Sequence, residues 1–315
     1  MIDRVGVRDQ RGGAGVRLLL VLAMLVAGFV WLARPPGLPH SGTTPHRATL
    51  TAERDPLVRR TTGWTPVRRA TVMPGDRTFT GHGQCTANFV FSDAASHVYL
   101  GQAAHCAETD EGPDGCRTHS QPLGTPVAIT RGESNVGRGR VVAWGRLAYS
   151  SWLAMQRRHD ADPVRCAYND FALIRIRGSD RSLVNPTMPF WGGPAGLANH
   201  EVTTAQRVYG FGRSELRKAH STASRQSGMT LPDVPRSRGW SHSYVARSPG
   251  IPGDSGSGYL DSGGYAIGTL STLRVGPVLV NAVGDLRREL RYARSYSGIR
   301  GLRLELGTVP FNPRS

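Results

Sequence analysis

The 315-residue chain is poor in cysteine and in lysine. Its four cysteines, Cys85, Cys106, Cys116 and Cys166, form no Cys-x-x-Cys pair, and no paired histidine spacing accompanies them. Tetrahedral zinc sites rely on such spacings, so we expect no metal site and no cofactor. Lys218 is the only lysine, and the net charge of +16 therefore comes from arginines dispersed along the whole chain. Dispersed arginine is typical of a solvated surface, so no specific nucleic-acid partner is expected.

Charge is absent from one stretch near the start. Residues 18–33 read LLLVLAMLVAGFVWLA, with four arginines before them and Arg34 after them. The run is shorter than the ~20 residues that span a bilayer, and it matches the apolar region of a secretory signal. Residues 1–33 are predicted to be a signal peptide or an N-terminal membrane anchor. Either form leads to a secreted protein or to one on the outer face of the cytoplasmic membrane.

Residues 34–70 lack apolar periodicity and contain several prolines, including Pro35, Pro36 and Pro39. This composition predicts a linker or a pro-segment that contributes no core. Beyond it, short alternating apolar runs separated by turn residues predict strands up to about residue 280. Residues 282–297 carry Leu286 and Leu290 at helical spacing, which predicts an amphipathic helix.

Histidine is absent after Ser255, which lies in the motif Gly253-Asp254-Ser255-Gly256-Ser257-Gly258. The last histidine of the chain is His242. An α/β-hydrolase places its histidine after the nucleophilic serine, so that triad is excluded. The Gly-x-Ser-x-Gly elbow also fails, because Ser257 occupies its final glycine position.

Two upstream motifs supply the partners that an activated serine needs. His105 lies in Ala103-Ala104-His105-Cys106, and Asp170 precedes the apolar run Phe171-Ala172-Leu173-Ile174. With Ser255, these motifs resemble the chymotrypsin-like (trypsin superfamily) serine peptidases, particularly their secreted bacterial members. The resemblance implies an all-β fold of two six-stranded antiparallel β-barrels with a C-terminal helix, covering residues 71–310. It also implies an endopeptidase that is a monomer and acts on protein or peptide substrates.

The roles of the triad residues follow from the resemblance and from their chemistry. Ser255 is the expected nucleophile, and His105 is the base that takes its proton. Asp170 is expected to orient the imidazole and to stabilise the imidazolium. The backbone amides of Gly253 and Ser255 are expected to form the oxyanion hole, because a glycine allows the backbone conformation that this requires.

Other features of the family are matched less closely. Asp254 is expected to form a buried ion pair with an internal arginine, because no sequence like Ile-Val-Gly-Gly precedes Cys85. Ser271, Thr272 and Leu273 resemble the strand that aligns the substrate, with Leu273 in place of the usual glycine. No acid occurs in residues 248–251, which argues against cleavage after Arg or Lys and favours a small or apolar side chain.

The resemblance implies a disulfide between Cys85 and Cys106. Cys116 and Cys166 then form either a second bridge or two free buried thiols. An alternative function is a catalytically silent protease-fold protein that binds partners through its basic surface. The presence of both His105 and Ser255 in matching contexts favours the enzyme.

Overall fold

The computed structural model describes residues 55–131, 139–217, 224–233, 235–274 and 279–314. The predicted signal peptide or anchor, residues 1–33, lies outside the described residues. So does the first part of the predicted linker, residues 34–54. Within the described ranges, no helix has the length and apolar character needed to cross a membrane.

The first sheet contains nine strands in the order β1-β16-β4-β5-β8-β7-β6-β2-β3. Strand β3 continues into β4 after only three residues, so one continuous segment pairs with β2 on one side and with β5 on the other. This brings the sheet round into a six-stranded barrel of β2, β3–β4, β5, β8, β7 and β6. The strands are β1 (Val58–Arg59), β2 (Arg77–Thr80), β3 (Gly83–Thr86), β4 (Val90–Ser92), β5 (Val98–Gln102), β6 (Pro126–Arg131), β7 (Arg140–Ser150), β8 (Ala172–Ile176) and β16 (Arg303–Glu305).

The second sheet closes through the pairing of β13 with both β10 and β14. Its other pairings run β10-β11-β12-β15-β14, and the short β9 adds to the edge of β14. The strands are β9 (Gly196–Leu197), β10 (Arg207–Phe211), β11 (Arg225–Thr230), β12 (Ser241–Ala246), β13 (Gly258–Asp261), β14 (Tyr265–Arg274) and β15 (Val280–Asp285). The expectation of two six-stranded antiparallel barrels is therefore confirmed.

Each barrel is filled by apolar side chains that alternate along its strands. Phe89, Phe91, Leu100 and Ile174 are fully buried in the first barrel. A separate cluster in the second barrel contains Val208, Tyr244, Tyr259, Ile267 and Val283.

The described residues contain three α-helices outside the barrels: α1 (Ser151–Arg157), α2 (Pro163–Tyr168) and α3 (Leu286–Tyr296). The C-terminal helix α3 is confirmed, but it begins at Leu286 instead of residue 282. Val283 belongs to β15, and the Asp285 side chain caps α3 by accepting a hydrogen bond from the Arg288 N–H. Helices α1 and α2 lie between β7 and β8 and were not predicted.

The chain on either side of the barrels differs from the expectation. Residues 55–70 were expected to contribute no core, yet Leu57 and Val58 are buried and pack against the first barrel. Val58 in β1 pairs with Leu304 in β16, which also pairs with Phe91 in β4. A strand this short shows no apolar periodicity of its own. Both form because a neighbouring strand supplies hydrogen-bond partners: β16 for β1, and β1 and β4 for β16.

Candidate active site

Strand pairing brings His105 and Asp170 together. His105 lies in a 3-10 turn (Ala104–Ala107) just after β5, and Asp170 lies just before β8. Strands β5 and β8 are antiparallel, with Gln102 opposite Ala172, so the end of one and the start of the other share an edge. One Asp170 oxygen accepts the backbone N–H of His105 at 2.9 Å, and the other lies 2.7 Å from His105 Nδ1.

The Asp170 carboxylate receives a third hydrogen bond, from the Ser271 hydroxyl at 2.6 Å. Burial alone would raise the pKa of Asp170, but His105 and the hydrogen-bond donors outweigh it, so the pKa is lowered. Burial likewise disfavours the charged form of His105, but the charge and hydrogen bond of Asp170 outweigh it, and the pKa of His105 is raised. Both shifts favour a protonated His105 beside an ionised Asp170.

Ser255 lies at the junction of the two barrels. Its carbonyl accepts the Thr86 N–H at 2.8 Å, and the next residue, Gly256, donates its N–H to Leu270 at 2.7 Å. A Cβ on Gly256 would lie 2.9 Å from the backbone nitrogen of Ala103, so no side chain fits between this loop and the histidine turn. The Ser255 hydroxyl makes no hydrogen bond to any described residue, His105 included. In substrate-free enzymes, hydrogen bonds between catalytic groups are often long or poorly aligned.

Residues 251–254 form a turn, which we name the candidate oxyanion loop. The Asp254 N–H donates to the Ile251 carbonyl at 2.9 Å, and Gly253 has a φ of +93°. This combination defines a type II turn, which requires glycine or asparagine at its third position. Across the described ranges, neither the Gly253 N–H nor the Ser255 N–H donates to another protein group.

Residues from two other segments hold the carbonyls of this loop. The Ser214 hydroxyl donates to the Pro252 carbonyl, and the Thr86 hydroxyl donates to the Gly253 carbonyl at 2.9 Å. Because both carbonyls are engaged, rotation of these peptide units would break a hydrogen bond. The contacts therefore fix the direction of the Gly253 N–H.

Asp254 forms a buried ion pair with Arg217, with 0% and 7% of the two side chains exposed. Arg217 Nε donates to Asp254 Oδ2 at 2.7 Å, and the Ser214 N–H donates to Oδ1 at 2.9 Å. Gln226 Nε2 and the Ile251 N–H, both at 3.1 Å, complete the shell. The internal partner expected for Asp254 is thus present, and it is Arg217.

The three residues expected to align a substrate lie on β14. Ser271 faces Asp170, whereas Thr272 and Leu273 are exposed. Pairing between β13 and β14 ends at Thr269. Beyond it, Thr272 and Leu273 pair with β15, and Ser271 lies at a bulge in that pairing. Among the described residues, this stretch of β14 therefore has a free edge on the side where β13 has ended.

Both disulfides are formed, between Cys85 and Cys106 and between Cys116 and Cys166. The second bridge replaces the alternative of two free thiols. The first joins β3 to the residue after His105, and the second joins the loop beyond His105 to α2, four residues before Asp170.

Three residues of this site were not found from the sequence, namely Thr86, Ser214 and Glu289. Thr86 and Ser214 hold the candidate oxyanion loop, and Glu289 lies behind Asp170. Thr, Ser and Glu are common residues, and none of these three lies in a recognisable motif. Only their neighbours in the folded chain identify them as part of the site.

No protein-family model matches the chain, and no curated protein matches it. Among solved structures, it is similar to Thermobifida fusca protease A, at 18% identity over 75% of this chain and 99% of that one, with a TM-score of 0.46. It is also similar to the Nocardiopsis protease, at 19% identity over 74% and 98% of the two chains, with a TM-score of 0.43. Cellulomonas bogoriensis chymotrypsin matches at 16% identity over 74% and 97%, with a TM-score of 0.39.

Proposed function

We propose that the protein is an exported serine endopeptidase that hydrolyses peptide bonds through Ser255, His105 and Asp170. The observation that carries the proposal is the buried Asp170 carboxylate, which accepts three hydrogen bonds and pairs with His105. The loop of Ser255 packs closely against the turn that carries His105. Such a pair raises the basicity of the imidazole and fixes its orientation, as an activated serine requires.

In the first half of the reaction, His105 Nε2 takes the Ser255 proton while Oγ bonds to the carbonyl carbon of the substrate. The carbonyl π electrons move to oxygen, and the Gly253 and Ser255 N–H groups donate to the resulting oxyanion. The C–N bond then breaks, and the leaving amine takes the proton from His105. The product of this half is an acyl-enzyme on Ser255.

In the second half, a water molecule gives a proton to His105 and attacks the acyl carbon. The C–O bond to Ser255 breaks, Ser255 regains its proton from His105, and the carboxylic acid leaves. Asp170 stays ionised throughout and stabilises each imidazolium.

The free edge of β14 at Ser271 to Leu273 suits an extended peptide, which would add as an antiparallel strand. We propose a small or apolar side chain before the cleaved bond, because no acid stands in residues 248–251 to pair with Arg or Lys. Two disulfides favour an oxidising compartment, in keeping with export through residues 1–33 as a signal peptide or anchor.

The test is labelling of the exported portion, from Arg34 on, by an organophosphonate serine probe, followed by peptide mass spectrometry. We expect one labelled serine, Ser255, and no labelling in Ser255→Ala. The matched control is Ser262→Ala, because Ser262 is an exposed serine in the same local sequence, Asp-Ser-Gly. Labelling of a folded parent elsewhere, or nowhere, would contradict the proposal and favour a silent binding protein.

A further inference from the structure

Helix α3 buries a carboxyl group that the proposed reaction does not use. Glu289 is 0% exposed, and neither of its carboxyl oxygens has a hydrogen-bond partner of good geometry among the described residues. No ion pair joins it to a described arginine or histidine. A buried carboxylate without a partner costs a large amount of folding free energy, so a carboxyl group in this position is expected to be neutral.

The neighbours of this carboxyl come from four elements. The donors nearest to it are the backbone N–H of Asp170 and the Thr269 hydroxyl of β14. A Cβ on Gly284 of β15 would lie only 2.1 Å from Glu289 Oε1, so the carboxyl abuts the backbone of β15. The buried phenol of Tyr149, on β7, also interacts with it and has no hydrogen-bond partner of its own in the described structure.

The charged groups that face Glu289 are both anionic. They are Asp170, on the segment before β8, and Asp285, at the start of α3. Burial raises the pKa of Glu289 well above its ordinary value, and the charges of Asp170 and Asp285 raise it further. Ionisation of two neighbouring carboxyl groups in one buried region is unfavourable, because the two negative charges repel each other. The carboxyl group with more hydrogen-bond donors is the one that ionises. Asp170 has His105 and Ser271, so the proton stays on Glu289.

We propose that Glu289 is a positioning residue of the candidate triad. As a neutral carboxylic acid it packs behind the main chain of Asp170, whose N–H is one of the donors nearest to it and donates to no other described group. It also adds no negative charge of its own beside Asp170. This inference rests on the proposed function for its catalytic consequence, whereas the protonation of Glu289 can be tested without turnover.

The decisive comparison is Glu289→Gln against Glu289→Ala in the exported protein. Glutamine copies the neutral acid, with one acceptor and one donor, so kcat/KM at neutral pH should stay within about twofold of the parent. Alanine removes the support of the Asp170 main chain, and a displacement of this kind costs on the order of 10²-fold in kcat. KM should change little, because Glu289 touches no substrate.

A second readout is the pKa of His105, measured by NMR of the imidazole. Glu289→Gln should leave it at the parent value, and Glu289→Ala should lower it toward ~6.5, the unperturbed value, as Asp170 loses its alignment. The matched control is Glu305→Gln. Glu305 is equally buried, but it lies in β16 and accepts hydrogen bonds from Thr61 and Ser92. That variant should change stability without moving the His105 pKa or kcat.

A third readout does not depend on His105. A carboxyl whose folded pKa is raised stabilises the fold below its unfolded pKa, and that stability is lost as pH rises toward the folded pKa. The free energy of unfolding of Glu289→Gln, relative to the parent, should therefore increase as pH rises above about 4.5, the unperturbed value for Glu289.

The inference is overturned if Glu289→Gln loses as much activity as Glu289→Ala, because the carboxylate charge would then be required. It is also overturned if Glu289→Ala keeps the parent kcat and His105 pKa. If the alanine variant does not fold, the glutamine variant alone decides through the His105 pKa and the stability profile. A parent that fails to label at Ser255 would refute the peptidase, yet the protonation of Glu289 would still be measurable.

Discussion

Replacement of Asp254 by asparagine tests how the candidate oxyanion loop is held. Asparagine keeps an oxygen that can accept the Ser214 N–H, so the main loss is the negative charge opposite Arg217. Arg217 is only 7% exposed, and the variant would remove the Asp254 carboxylate that faces its buried positive charge. Removal of one member of a buried pair costs about 3–5 kcal/mol of unfolding free energy, and we expect Asp254→Asn to fall in that range.

The double variant Asp254→Asn/Arg217→Met separates stability from loop geometry. With both charges gone, no uncompensated ion stays buried, so most of the lost stability should return. The asparagine side chain nevertheless lacks the second oxygen, which accepted hydrogen bonds from Gln226 and from the Ile251 N–H. The Gly253 N–H would lose its fixed direction, and loss of one oxyanion donor costs ~10² to 10³ in kcat. Activity should therefore stay low in the double variant.

The assay pairs urea unfolding, followed by tryptophan fluorescence, with peptide hydrolysis and the rate of phosphonate labelling. The control is Asp55→Asn, because Asp55 forms a less deeply buried ion pair with Arg287, 14% and 16% exposed, that involves no residue of the candidate site. This control should lose stability and keep the parent labelling rate. A cost below about 1 kcal/mol in Asp254→Asn would refute the energetic reasoning. Parental activity in the double variant would refute the role of the ion pair in shaping the loop.

Two further predictions concern pH. The kcat/KM profile should rise with pH through a midpoint above ~6.5, because Asp170 raises the pKa of His105. The variant Asp170→Asn should lower that midpoint and reduce kcat by about 10⁴-fold. A midpoint that does not move in the variant would contradict this. His242 lies between Asp233 and Asp285; burial alone would lower its pKa, but their hydrogen bonds raise it to about 9. The stability that it contributes is complete below its unfolded pKa of 6.5 and is lost as pH rises through 9, so His242→Asn should flatten the melting-temperature profile between these values.

Much of the candidate site was predictable, because its chemistry depends on short local motifs. Gly253 needs no distant residue to explain it, since a type II turn requires a positive φ and glycine supplies it. The apolar run after Asp170 likewise predicted a buried strand, and β8 follows Asp170 closely. The disulfide between Cys85 and Cys106 was predicted from the resemblance. In the structure, Cys85 lies on β3 and faces Thr78 of β2 in the first barrel.

Boundaries were predicted less well where two periodicities meet. Val283 fits the helical spacing of Leu286 and Leu290, but its backbone pairs with Leu270 and His242 as part of β15. An apolar side chain at such a junction satisfies both patterns. The capping side chain of Asp285, which accepts the Arg288 N–H, decides where the strand ends and the helix begins.

Short local motifs, together with the family resemblance that they carry, thus predicted His105, Asp170 and Ser255 as the candidate triad. The tertiary structure decided which of many arginines meets Asp254, which segments pair as β1 and β16, and that Glu289 lies behind Asp170. These contacts join residues 37 to 246 positions apart in the chain. Pairings at such separations depend on strand register and barrel closure, which place a side chain beside a partner that its own neighbours in sequence do not specify.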